Sequence, residues 1–409
     1  MSEWKAARVG DICKAANGRA FKPTEWDTEG APIIRIQNLK NDSAPFNYFR
    51  GEIEPRFRVQ RGDLLFAWSG TPGTSFGAHI WRGGDAVLNQ HIFNLHFDRK
   101  KIDERFFCYA LNRNVADYVA KAQGGVGLAH ITKGKFEDSL VPLPDIEEQR
   151  AVVAEIEKQF SRLDGAVTGL KRVKANLKRY KAAILKAAVE GRLVPTESDL
   201  ARREDPTNWR NVLLGDVAQI TGGLTKNPKR HEYPRKLPYL RVANVYASEL
   251  RLDTIEYIGV TDKEVDKLLL RRGDMLVVEG NGSPDQIGRV ALWDGSIANC
   301  VHQNHLIKVR LGSEVLPEWA LIWLLSPGGR SEIEQVSSST SGLHTLSTGK
   351  VSRLPLPLPP IVEQHRIVAE VDRLLSIARE AETEVETNLK RAQVLRQSVL
   401  QSSFSEAVA

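Results

Sequence analysis

Apolar side chains recur every seventh residue in two long stretches of the chain. In the first they are Ile156, Leu163, Leu170, Leu177 and Ile184, with Phe160 and Val167 at the intervening positions until Lys174 and Lys181 break that second row. In the second they are Val371, Ala378, Val385, Ala392 and Val399, with Leu375 and Leu389 between them. A narrow stripe of this period, sustained over about four heptads, predicts a coiled-coil seam and not a helix lying on a globular core. Each stretch makes about forty residues of helix, a rod of about 60 Å. The obvious partner of each rod is the other, because the chain carries two of them.

The helices begin alike. Residues 141–160 (VPLPDIEEQRAVVAEIEKQF) and 356–375 (LPLPPIVEQHRIVAEVDRLL) are identical at nine of twenty positions, and that identity sets a repeat of 215 residues. Units of about 20–50 residues would mean a solenoid; this period means a duplicated module. Pro-Leu-Pro resists helix and hands over to it. Asp145 with Glu148 reads as a capping box. Pro360 takes Asp145's place in the second copy and suits the first helical position.

Ahead of each helix lie short β-type runs broken by Gly, Pro and Asn, with a helical patch near 103–122 in the first copy. They also match in pairs: GDICKAANG (10–18) with GDVAQITGG (215–223), PIIRIQN (32–38) with PYLRVAN (238–244), RGDLLFAWSG (61–70) with RGDMLVVEGN (272–281), and GLAHITKGKFEDSLVPLP (127–144) with GLHTLSTGKVSRLPLPLP (342–359). The expected organisation is a first domain over 1–144, a helix over 145–190, a polar linker over 191–208, a second domain over 209–359 and a closing helix over 360–406. The fold class is α+β, two mixed, β-rich domains joined by two long helices.

Composition narrows the chemistry. A net charge of +6 over 409 residues suits nucleic acid without establishing it. No run approaches the roughly 20 apolar residues of a membrane span, and the first residues lack a signal-peptide pattern, so a cytoplasmic protein is expected. Cys13, Cys108 and Cys300 are too scattered for a zinc site or disulfide framework and read as structural. The glycine-rich segments 70–77 and 280–288 lack the Lys and hydroxyl of a P-loop, and there is no GxGxxG, no Asp/Asn-Pro-Pro-Tyr tetrapeptide and no HExxH. No enzyme signature is visible.

The paired segments IEEQRAVVAEI and IVEQHRIVAEV, each behind Pro-Leu-Pro, with a loop such as EGNGSPDQIGRVALW, resemble the specificity subunit of type I restriction-modification systems over essentially the whole chain. That resemblance implies two target-recognition domains, each reading half of a bipartite site on double-stranded DNA, and an antiparallel coiled coil between them in a pseudo-twofold arrangement. It further implies a non-catalytic chain that holds no cofactor or metal. Two modification subunits would bring S-adenosylmethionine, and two restriction subunits would bring ATP and Mg2+. A stand-alone bipartite DNA-binding adaptor and an enzyme with an unrecognised site remain alternatives.

If the two domains read different sequences, residues common to both cannot explain the difference. Arg35/Arg241, Asn38/Asn244, Gln90/Gln303 and Lys135/Lys350 are therefore scaffold or phosphate-contact candidates. Lys133 joins the DNA-binding candidates of the first domain. Base-reading candidates come from divergent loops: Arg19, Lys22, Ser69, Thr71, Thr74, Ser75, Asn89 and His91 in the first domain, and Lys226, Lys229, Arg230, Asn281, Ser283, Asp285, Gln286, Arg289, His302 and Asn304 in the second. The basic run Lys171, Arg172, Lys174, Lys178, Arg179, Lys181 and Lys186 reads as a solvated face or a partner-docking surface, since Glu380, Glu382, Glu384 and Glu386 on the second helix oppose a continuous DNA track.

Overall fold

The computed structural model describes residues 4–39, 41, 44–70, 75–121, 129–200, 209–280, 286–337 and 345–405. The chain divides into two compact units: residues 1–171 with 386–409, and residues 172–385.

In the first unit the strands Cys13–Asn17, Ile92–Phe97, Leu64–Ala67 and Gly77–Ile80 form, in that order, an antiparallel sheet. Leu64–Ala67 is apolar at every position because both its faces are covered. Leu64 and Phe66 point into a core with Phe93, Phe106, Phe107 and Phe136, while Leu65 and Ala67 point into a smaller core with Ile34, Val59 and Leu88. A second sheet orders Asn47–Phe49, Ala31–Ile34, Ala86–Leu88 and Arg58–Val59, its middle pair parallel with Ile33 opposite Val87. The helical patch is split into Glu104–Arg113 and Val115–Lys121. The first of these is capped by Asp103, whose carboxylate accepts from the Arg105 and Phe106 amides.

The second unit repeats the plan. Ala218–Gly222, Leu306–Leu311, Met275–Val278 and Val290–Leu292 form the same antiparallel order, and Met275 and Val277 face one core while Leu276 and Val278 face another. Its smaller sheet orders Glu256–Gly259, Lys236–Leu240 and Val301–His302, again with one parallel pair, Tyr239 opposite Val301. In each unit the first strand closes on the proline-rich segment that precedes the long helix: Ala6–Arg8 on Leu140–Pro142, and Arg210–Leu213 on Pro355–Leu358.

The long helices run Ile146–Val189 and Ile361–Ser405. Asp145 caps the first by accepting from the Glu147 and Glu148 amides. Pro360 stands one position earlier than the sequence suggested. Its carbonyl accepts the Gln364 amide, so it is the N-cap and not the first helical residue. Both helices contribute to both units. In the first unit Val153, Ile156 and Phe160 share a core with Val399, Leu400 and Phe404; Arg396 lies 4.1 Å over the Phe160 ring and pairs with Asp164 at 2.6 Å. In the second, Ile184 and Ala188 share a core with Ile367 and Val371, Lys181 pairs with Glu382, and Arg366 donates to the Pro195 carbonyl. Partner numbers fall as position rises, so the pairing is antiparallel. Leu163, Val167, Leu170, Leu177, Leu375 and Leu389 are half-buried and Val385 is buried, whereas Val173, Tyr180, Ile377, Val394 and Leu395 stand exposed off the seam.

The 191–208 stretch is not wholly an open linker. Leu193 and Val194 pack against the second core, Thr196 is buried, and Glu197–Leu200 makes a helical turn.

Phe404 is fully buried, 5.2 Å from Phe106 and 6.4 Å from Trp4. Phe404→Ala should cost about 3–5 kcal/mol in the first unit. Limited proteolysis should then cut within residues 386–405 well before the second unit is attacked; wild-type resistance there would contradict this packing.

Candidate nucleic-acid interface

At one end of each main sheet three segments are knitted together by the same backbone bonds. In the first unit the Trp68 amide donates to the His91 carbonyl and the Trp68 carbonyl accepts from Ile131. In the second the Glu279 amide donates to the His305 carbonyl and the Glu279 carbonyl accepts from Leu346. The bridges His130↔Ser69 and Gly280↔Thr345 complete the match. Positions 68, 91 and 130 therefore correspond to 279, 305 and 345. The occupants are Trp, His and His in one unit and Glu, His and Thr in the other, so one scaffold presents two chemistries.

In the first unit Trp68 stacks on Phe93 at 5.9 Å, with the His91 ring at 5.2 Å and the His130 ring at 5.9 Å. The indole Nε1 donates to the Gln90 carbonyl, and the Gln90 amide nitrogen lies 3.1 Å from His91 Nε2. Burial, and after it the neighbouring His130, lowers the His91 pKa and favours a neutral imidazole. A cleft of about 370 Å³ opens beside Trp68, Phe93, His130 and Lys133. In the second unit His305 Nδ1 instead meets Glu279 Oε2 at 3.0 Å. Thr71, Thr74, Asn281, Ser283 and Asp285 lie outside the described residues.

Several sequence candidates are built into the scaffold. Arg230, a nominated reader, is buried: it donates two bonds to Glu264 and others to the Thr225 and Gly259 carbonyls, and holds the Glu264 pKa at about 2. Ser69 is buried in the strand pairing. Asn38 and Asn244 are buried turn locks whose carbonyl oxygens accept from the Arg35 and Arg241 amides, so neither reaches a phosphate. Arg241 pairs with Glu256 at 2.5 Å, whereas Arg35 lies over the Trp26 ring at 5.1 Å. Arg19 is held by Glu25 and the Phe21 and Phe49 rings. Arg289 lies over Tyr246 and donates to the Val242 carbonyl. Lys350 donates to the Thr345 and Ser337 carbonyls.

The pairing of Gln90 with Gln303 is one residue out of register. The parallel bridges Arg19↔Asn89 and Leu224↔Gln303 make Asn89 the counterpart of Gln303, hence Gln90 of Asn304 and His91 of His305. Lys22, Gln90, Lys133, Lys135, Lys226, Lys229 and Gln286 are exposed, and Ser75, Asn89, His91, Gln303 and Asn304 half-buried. Trp68, His130, Glu279, His305 and Thr345 were not among the sequence candidates. Their signal was divergence inside otherwise shared segments, Trp68 against Glu279 and His130 against Thr345.

A family model for the type I restriction modification DNA specificity domain matches residues 1–178 and 206–391. The chain belongs to this family. Among curated relatives, the type I restriction enzyme EcoBI specificity subunit of Escherichia coli is 27% identical over 98% of this chain and 85% of that one. The EcoKI specificity subunit of Escherichia coli strain K12 is 25% identical over 98% and 88%. Two solved chains share the fold. One, from a structural study of assembly and conformational transition of the type I R-M system, has a TM-score of 0.70 at 19% identity over 98% of this chain and 97% of its own length. The HsdS subunit from Thermoanaerobacter tengcongensis has a TM-score of 0.53 at 18% identity over 98% and 96%. The two matched segments are the two halves of the duplication, so this specificity subunit carries two DNA specificity domains. All three of its thiols are buried, which raises each pKa to about 12 and leaves them inert.

His302, nominated as a reader, is fully buried. Its Nδ1–H donates to the Leu306 carbonyl at 2.9 Å, and among the described residues Nε2 has no partner. Burial lowers its pKa to about 4. A base whose folded pKa lies below its unfolded value resists protonation in the folded state. Its contribution is present above pH 6.5 and lost as pH falls toward 4, about 3 kcal/mol in all. His302→Leu, which places the first unit's Leu88 at the matching position, should flatten the fall in urea midpoint between pH 7 and pH 5. An unchanged slope would contradict the assignment.

Proposed function

We propose that the chain is the DNA-reading subunit of a type I restriction-modification complex, each unit reading one half of a bipartite duplex site. The observation that carries this reading is the pair of matched triads: a common backbone frame with different side chains is what two readers of different sequences need. Trp68, His91 and His130 offer apolar and imidazole surface to base edges in the first unit. Glu279 and His305 offer a carboxylate acceptor, suited to a cytosine amino group, beside an imidazole in the second. The exposed Lys22, Lys133, Lys135, Lys226 and Lys229 supply phosphate contacts that every sequence presents alike. The paired helices set the spacer and dock two modification subunits, and two restriction subunits complete the assembly. S-adenosylmethionine, ATP and Mg2+ belong to those partners, and the chain catalyses nothing itself.

Mapping methylated sites of the assembled complex tests this. Trp68→Glu with His130→Thr, which copies the second triad into the first unit, should change base preference in one half-site by about 5- to 150-fold, equivalent to 1–3 kcal/mol per lost base contact, and leave the other half-site and the spacer intact. Changes in both half-sites would refute independent readers. Unchanged specificity in a folded variant would remove the triad from the interface.

A further inference from the structure

The Glu-Gln step common to both helix starts takes no part in the reading surface. We propose that Gln149 and Gln364 are positioning residues that lock each long helix to its own recognition module at a fixed angle, and thereby set how sharply the spacer is defined; this rests on the bipartite reading above.

Both glutamines are fully buried and make the same three bonds. Gln149 Oε1 accepts the Asp103 amide at 2.8 Å, while Nε2 donates to the Lys101 carbonyl at 3.0 Å and the Pro144 carbonyl at 2.8 Å. Gln364 Oε1 accepts the Leu316 amide at 2.8 Å, while Nε2 donates to the Glu314 and Pro359 carbonyls, both at 2.9 Å. Asp103 and Leu316 are the N-cap residues of the helices Glu104–Arg113 and Pro317–Leu325, so each amide group clasps the start of a helix in its module to the start of the long helix. In the second unit Glu363, buried beside Gln364, adds a bond from Trp209 Nε1 at 2.8 Å.

Apolar packing alone tolerates small swivels, because dispersion and burial are nondirectional; three hydrogen bonds from one amide group are directional and not so tolerant. The lever is long. A swivel of about 3° at the base of a helix about 66 Å long moves its far end by about 3.4 Å, one base-pair rise. A core that needed only volume at this site would accept Leu or Met, yet both copies keep an amide that satisfies two backbone groups of the module.

The test uses the full chain assembled with modification subunits, with methylated sites mapped genome-wide for wild type, Gln149→Met, Gln364→Met and the double variant. Met keeps the length of the side chain and removes its polar atoms. Expected are unchanged half-site bases, at least a tenfold rise in methylated sites whose spacer is one base pair longer or shorter, and at least tenfold faster hydrogen exchange in the peptides containing Asp103 and Leu316. Faster exchange at those peptides with the wild-type spacer distribution would overturn the proposal. Loss of protection throughout a unit would overturn it too, assigning the glutamine to overall stability. A wild-type complex with no bipartite site would instead remove the reading beneath it.

Discussion

A helix of more than forty residues with one apolar stripe cannot shield that stripe by itself, and in this chain the partner is another helix some two hundred residues later. The last turns of the chain return to the first unit, where Val399, Leu400 and Phe404 complete a core begun by Trp4, Phe106 and Phe160. The first unit's core is therefore unfinished until residues 399–404 have been made. The second unit, by contrast, is a continuous stretch, 172–385. The surface pairs along the seam, Asp164 with Arg396 and Lys181 with Glu382, add little stability at their exposure and act chiefly on register.

Within each unit the same logic of double burial fixes the frame. Strands such as Leu64–Ala67 and Met275–Val278 are apolar on both faces because cores lie on both sides, and this holds the end of the sheet still. At that end the backbone is repeated between units, while two of the three side chains differ, Trp68 against Glu279 and His130 against Thr345. Function of this kind asks for such a division, since position is common to both readers and chemistry is private to each. The polar residues that look most like DNA contacts in sequence, Asn38, Asn244, Arg230 and His302, are consumed in building the frame, because a turn or buried strand end leaves amides and carbonyls that some side chain must satisfy.

Periodicity, repeats and helix-start signals are local, and so they are legible in the sequence alone. The two long helices, the Asp145 cap, the duplication and the family resemblance all rest on residues within a few turns of one another or on matching strings. What depended on contacts between distant segments was not readable. Gln90 was aligned with Gln303 because the letters agree, while the parallel bridges put Asn89 there. Arg230 is a loop residue by sequence and a buried ligand of Glu264 by structure, thirty-four positions away.

The sequence by itself determined the architecture, two like modules and two seams, because hydrophobic period and internal identity survive translation into three dimensions unchanged. Only the tertiary structure decided which polar groups are spent internally and which remain outward, since that depends on where each backbone group is left unpaired after the sheets form. It also decided the role of Gln149 and Gln364. A glutamine near a helix start reads as ordinary surface until the short helix of its own module is brought within 3 Å of it.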